Sequence, residues 1–287
     1  MLGINTNVAS LTAQKNLSGS GIGLNNSIAR LSSGLRVNSA KDDAAGLAIA
    51  ERMQAQIRGF DVAGRNANDG ISLLQVADGA MGKISDNLQR MRELAVQAKN
   101  GTLNDTDRVN LNREYTELAN EVDRIVTGST FNGNNLFDAA NQTLSFQVGT
   151  GNAVSDTLEL NLTDDGLSTG NDLTSIMTNG AADIQTNLGA ITDVANATTA
   201  IDTLDASIDA ITGIRAVVGA GQSRLEQVAA FADVSSTNLQ AARGRIMDAD
   251  FAKETANLTR SQILQQAGTA MLAQANQLPN NVLSLLQ

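Results

Sequence analysis

Two pairs of neighbouring carboxylates, Asp42 with Asp43 and Asp248 with Asp250, are the first residues in this chain that could do chemistry. Hydrolysis of a glycosidic bond needs two acids facing one substrate. No aromatic sugar platform accompanies either pair, and both stand where helical segments begin or end, so they are assigned capping or linker roles. Ser18-Gly19-Ser20-Gly21-Ile22-Gly23 has the glycine density of a phosphate-cradling loop. It lacks the Lys-Ser/Thr that follows such a loop and the strand that precedes it, so it reads as a flexible break in a terminal helix. Asp164-Asp165-Gly166 with Asn171 and Asp172 hints at a calcium loop, but no Glu closes it at the required offset, and a polar turn is the reading kept. With no His and no Cys, the usual ligands of zinc, haem and iron–sulfur clusters are gone, as are nucleophilic mechanisms built on either residue. No catalytic residue, cofactor site or metal site is assigned, and the chain reads as a non-enzyme.

Charge and hydropathy narrow the partners. The formal net charge is -10, with Lys and Arg outnumbered and scattered, which argues against nucleic acid. No apolar run approaches the roughly 20 residues needed to cross a bilayer. Nor does the N-terminus carry a basic segment followed by an apolar one, so these criteria alone place the protein in the cytoplasm.

The elements come from periodicity. Leu24, Ile28, Leu31 and Leu35 step by four, three and four. Ala77, Met81, Ile84, Leu88, Met91, Ala95 and Ala98 hold the same rhythm, and Leu111, Tyr115, Leu118, Val122 and Ile125 form a third seam. A fourth runs from Ile201 through Leu204, Ile208, Ile211, Val218, Leu225 and Leu239 to Ile246. Such narrow apolar faces pack against similar helices. Between the third and fourth seams the period falls to two, at Leu144, Phe146 and Val148 and again at Leu158, Leu160 and Leu162, which predicts one β-hairpin. The expected fold is mainly α: an elongated antiparallel helical bundle or coiled coil with one small β-hairpin and both termini at one end. The expected domains are residues 1–43 with 247–287 as a terminal coiled coil, and residues 44–246 as a rod. The hairpin falls near 144–163 and an exposed tip near 164–190.

The two ends stand apart in composition. Residues Met1 to Lys41 contain no Asp or Glu, and Ser261 to Gln287 carry no charged side chain, yet both have apolar residues at helical spacing. Each buried aliphatic side chain contributes roughly 2 kcal/mol, against roughly 1 to 2 kcal/mol of backbone entropy for every residue ordered. An isolated end loses that balance, so the ends are expected to be disordered in a free monomer and to fold against other copies.

The literal sequence is more specific than its pattern. Ile4-Asn-Thr-Asn7, Leu31-Ser-Ser-Gly-Leu-Arg36, Asn38-Ser-Ala-Lys-Asp-Asp-Ala-Ala-Gly46 and Leu88-Gln-Arg-Met-Arg-Glu-Leu-Ala-Val-Gln97 come first. Ser261-Gln-Ile-Leu-Gln-Gln-Ala-Gly268, Ala273-Gln-Ala-Asn-Gln277 and Asn281-Val-Leu-Ser-Leu-Leu286 follow. In this order the motifs resemble bacterial flagellin, over roughly residues 1–165 and 195–287, in a minimal form with the filament-core layers only. The resemblance implies a structural subunit that self-assembles into the flagellar filament, a homo-polymer that is secreted through type III export and lies outside the cell. It implies further partners: a flagellin export chaperone, hook-associated and cap proteins, and Toll-like receptor 5 of animal hosts. It also implies two sets of residues. Gln89, Arg90, Glu93, Leu94, Gln97 and Glu114 match a patch used for receptor recognition and axial contact. Leu24, Ile28, Leu31, Leu35, Ile263, Leu264, Leu272, Leu283 and Leu286 fall to the inner assembly layer. A hook–filament junction protein shares such terminal patterns, and a soluble coiled-coil binding protein satisfies the periodicity alone.

Overall fold

The computed structural model describes residues 6–137, 143–161 and 188–284. The chain is mainly α-helical. Among the described residues five α-helices carry it: α1 (Val8–Ser33), α2 (Ala44–Ala98), α3 (Asp105–Gly128), α4 (Val194–Met247) and α5 (Phe251–Ser284). The strands are short: β1 (Thr130–Phe131) with β2 (Asn134–Asn135), and β3 (Thr143–Gln147) with β4 (Thr157–Asn161), both pairs antiparallel. The expected exposed tip, residues 164–187 above all, lies outside the described residues, as do Leu162 and Leu286.

Each helix opens on a short polar cap that accepts from the first free backbone amides. Asn7 accepts from Ser10, Asp43 from Gly46, Asn104 from Asp107, Asp193 from Asn196, and Asp250 from Ala252 and Lys253. The carboxylates Asp43 and Asp250 are therefore caps. Asp42 accepts from the Ser39 hydroxyl and from the Asn38 and Ser39 amides, which hold its carboxyl below the usual carboxylate range. One sequence reading is corrected: α1 runs unbroken through Gly19, Gly21 and Gly23. Intrinsic propensity would interrupt it there, and packing against α5 overrides that cost.

The chain forms two compact units, Met1–Ile57 with Thr237–Gln287, and Arg58–Ser236. In the second, the predicted α2 seam is the core: Ala77, Met81, Ile84, Leu88, Met91, Ala95 and Ala98 are all buried, together with Tyr115, Ala119 and Val122 of α3 and Leu204, Ile211, Ile214 and Val218 of α4. Arg92 pairs with Asp205 and Arg215 with Asp78, tying α2 to α4. The β3–β4 pair lays Leu144 opposite Leu160 and Phe146 opposite Leu158 on this core. It comes so close that a Cβ on Gly70 would meet Leu225 and Phe146 near 3.0 Å, and one on Gly221 would overlap Leu160. The β1–β2 pair was not foreseen. Its signal is the dipeptide Asn132-Gly133, both at positive φ, which closes a two-residue turn.

Tyr115, the sole tyrosine, is buried and donates its hydroxyl to the Leu188 carbonyl at 2.7 Å. Burial pushes its phenol well above the ordinary value near 10. The sign follows: the folded state holds the neutral phenol, so this contribution is complete below pH 10 and is lost as pH rises past it. Alkaline difference spectra of the native chain should show no phenolate until the unit opens. Tyr115→Phe should cost about 1 kcal/mol in denaturant unfolding by orphaning the Leu188 carbonyl.

Candidate assembly surfaces

In the unit containing the termini, α1 and α5 pair as an antiparallel two-helix coil. Asn7 donates its side-chain amide to the Ala275 carbonyl at 2.7 Å, and the Ser10 hydroxyl donates to Asn276 Oδ1 at 2.9 Å. Leu17 lies against Gly268 and Gly23 against Ser261. At the other end Glu254, buried in the first turn of α5, accepts from the Ser27 hydroxyl and from Arg30, each at 3.2 Å. The α1 face turned to α5 thus follows Ser10, Leu17, Leu24, Ser27 and Leu31. Its steps of seven, seven, three and four hold one side of a helix. Glu254→Ala should strand the buried Ser27 hydroxyl and a half-buried Arg30, costing about 1–3 kcal/mol, with earlier amide exchange along α1 as the readout.

The inner-layer residues divide accordingly. Leu24, Leu31 and Leu272 are half-buried, Ile28 is exposed, and Ile263 and Leu264 are exposed on α5. Leu283 falls within the α5 span. Leu35 is corrected: α1 stops at Ser33 on the left-handed Gly34, so Leu35 does not extend the seam. It pairs instead with Asp248 in an isolated β-bridge, beside a small cluster of Val37, Ala50 and Met247. Arg36 closes the same elbow by donating from its guanidinium to the Ile246 carbonyl at 2.7 Å.

Of a second set of exposed apolar residues, the sequence reading assigns only Ile263 and Leu264 to assembly. Val8, Leu11 and Ile22 lie on the side of α1 opposite the α5 contact, and Ile22 is 61% exposed. On α5, Leu264 and Met271 share one flank at a spacing of seven, with Ile263 further outward. The signal was present in the three-residue and eleven-residue steps of α1, but a single-seam template could not register two stripes on one helix. The polar ties at Ser10, Ser27 and Glu254 carried no apolar signal at all.

On α2 and α3 the expected receptor and axial-contact residues lie on one surface, with one exception. Arg90 donates to Glu93 at 2.8 Å and, from two nitrogens, to Glu114 at 2.9 and 3.0 Å. These hydrogen bonds, Glu93 first, raise its already high pKa and keep it cationic. Gln89, Glu93, Gln97 and Glu114 are exposed beside it, and Gln89 donates to Ser85. Leu94 does not belong to this surface. It is 1% exposed and packs in the core, because α2 meets both α3 and α4 and its apolar face widens beyond the predicted stripe. The patch is thus a polar, charge-paired surface without an aliphatic anchor. Among the described residues no group of three or more acids is placed to hold a metal, and no helix is long and apolar enough to cross a membrane.

Two helices from distant parts of the chain pair as an antiparallel coil, and each keeps further apolar side chains exposed. The chain belongs to the bacterial flagellin family. Residues 4–142 match the bacterial flagellin N-terminal helical region and residues 201–286 the C-terminal helical region. It is 46% identical to a flagellin of Halalkalibacterium halodurans over 287 residues, covering 99% of each chain. Against the flagellar filament 33 kDa core protein of Treponema phagedenis it is 40% identical over 289 residues, again covering 99% of each. A crystal structure of Bacillus cereus flagellin aligns with 62% of this chain and 94% of its own at 35% identity and a TM-score of 0.47.

Proposed function

We propose that this chain is a structural subunit that polymerises with copies of itself into the extracellular bacterial flagellar filament, with no catalytic role. Family membership supports the filament, and the doubled apolar faces of α1 and α5 support how it is built. Val8, Leu11, Ile22, Ile263, Leu264 and Met271 all stay exposed with the α1–α5 contact in place. Copies of the same helices are their natural partners, since contacts that do not close into a ring generate an open helical polymer. In this reading residues 1–43 and 247–287 line the inner layer and residues 44–246 the layer outside it. Residues 1–29 carry one charged side chain, Lys15, and residues 261–287 none; a lining built from these segments suits a channel through which unfolded chains pass, because a charged wall would hold them.

The Arg90 surface is the proposed axial contact and, in the free monomer, the surface read by Toll-like receptor 5. Arg90 and the exposed amides and carboxylates around it, not Leu94, would carry both roles. An export chaperone for the α5 region, and cap and hook-associated proteins at the filament ends, complete the proposed partners.

Electron microscopy of purified chain with and without short filament seeds tests the assembly. Length growing from the seeds supports it; a stable dimer, unchanged by seeds and by concentration, overturns it. For the receptor, a reporter assay with Arg90→Ala monomer should fall well below wild type, and equal signalling would remove that part.

A further inference from the structure

Met271 is 63% exposed, whereas Met81, Met91 and Met247 are buried. Met53 is half-buried. Met271 stands two turns beyond Leu264 on the same flank of α5, while Gly268 faces Leu17 and the Ala275 carbonyl takes the Asn7 amide. A thioether is thus displayed on an apolar strip, open to solvent in the single chain.

We propose that Met271 is a redox-sensitive modification site, and that its oxidation by a peroxide in the unassembled chain blocks addition to a filament. The sulfur lone pair attacks one peroxide oxygen as the O–O bond breaks, and the transferred oxygen gives up its proton to the departing hydroxide, which leaves as water. Sulfur is oxidised by two electrons and hydrogen peroxide is reduced. The product replaces an apolar, flexible side chain with a polar sulfoxide, which an apolar contact then buries without a donor to satisfy it. Sulfoxide formation is reversible by methionine sulfoxide reductases, so the block is a switch. Once a filament has formed, the same contact shields the sulfur. Only the free chain is sensitive. The proposal rests on the reading of α5 as an assembly face.

The test treats intact wild type and Met271→Leu with hydrogen peroxide, quantifies sulfoxide at residue 271 by peptide mass spectrometry, and follows growth from seeds. Oxidised wild type should elongate about tenfold more slowly or worse. Treated Met271→Leu should elongate like its untreated form, and a reductase should restore wild type. Oxidation of residue 271 should also be slower in filaments than in monomer. Wild type that elongates normally with residue 271 fully oxidised overturns the switch alone, as does equal loss in Met271→Leu. If untreated wild type fails to elongate seeds, the filament reading falls first and the switch with it.

Discussion

A chain lacking residues 262–287 should fail to elongate seeds that the intact chain elongates readily. The deletion leaves only Phe251 to Ser261 of α5, too short to persist as a helix without packing. It also removes Gly268, Ala275 and Asn276, the partners of Leu17, Asn7 and Ser10, so the first half of α1 loses its contact as well. Both apolar faces proposed for assembly are then lost together. Ile22→Asp separates the two causes. Ile22 faces away from α5, so the α1–α5 coil should survive, with circular dichroism close to wild type. Assembly should still suffer: losing an aliphatic contact of about 2 kcal/mol raises the critical concentration about 30-fold, and burying a carboxylate in its place raises it further. Growth of the truncated chain at the intact rate would contradict the assembly mechanism.

Leu94→Ala should destabilise the Arg58–Ser236 unit by about 2–5 kcal/mol in denaturant unfolding, because the cavity forms in a closed core. Arg90→Ala, four residues earlier, removes only exposed ion pairs and should leave the midpoint nearly unmoved. The contrast decides how any loss of receptor signalling is understood: at Arg90 a missing contact, at Leu94 a loosened fold. Equal small effects on stability at the two positions would contradict the placement of Leu94.

Much of the helical frame was legible because it is local. The α2 seam from Ala77 to Ala98 is buried residue for residue, and the fourth seam, Ile201 to Ile246, falls within α4 (Val194–Met247). The β3–β4 pair likewise followed from an alternation of two. Position on a face was less secure. Leu94 reads as surface in a narrow seam, but becomes core once α2 has neighbours on two sides. Leu35 reads as one more seam residue, but Gly34 adopts φ 72 and turns the chain out of the helix.

The sequence by itself determined where the apolar seams of the helices and the alternation of the hairpin run, the exclusion of histidine- and cysteine-based chemistry, and membership of the flagellin family. Those properties depend on residue type and on spacing within one element. Tertiary structure alone decided that α1 spends one apolar face on α5 and keeps another, and that Ser10, Ser27 and Glu254 tie the ends together. It also decided that Gly70 and Gly221 leave room for the β3–β4 pair. The physical reason is that burial belongs to pairs of surfaces, so a residue's role is set by a neighbour that lies as far as 268 positions away along the chain.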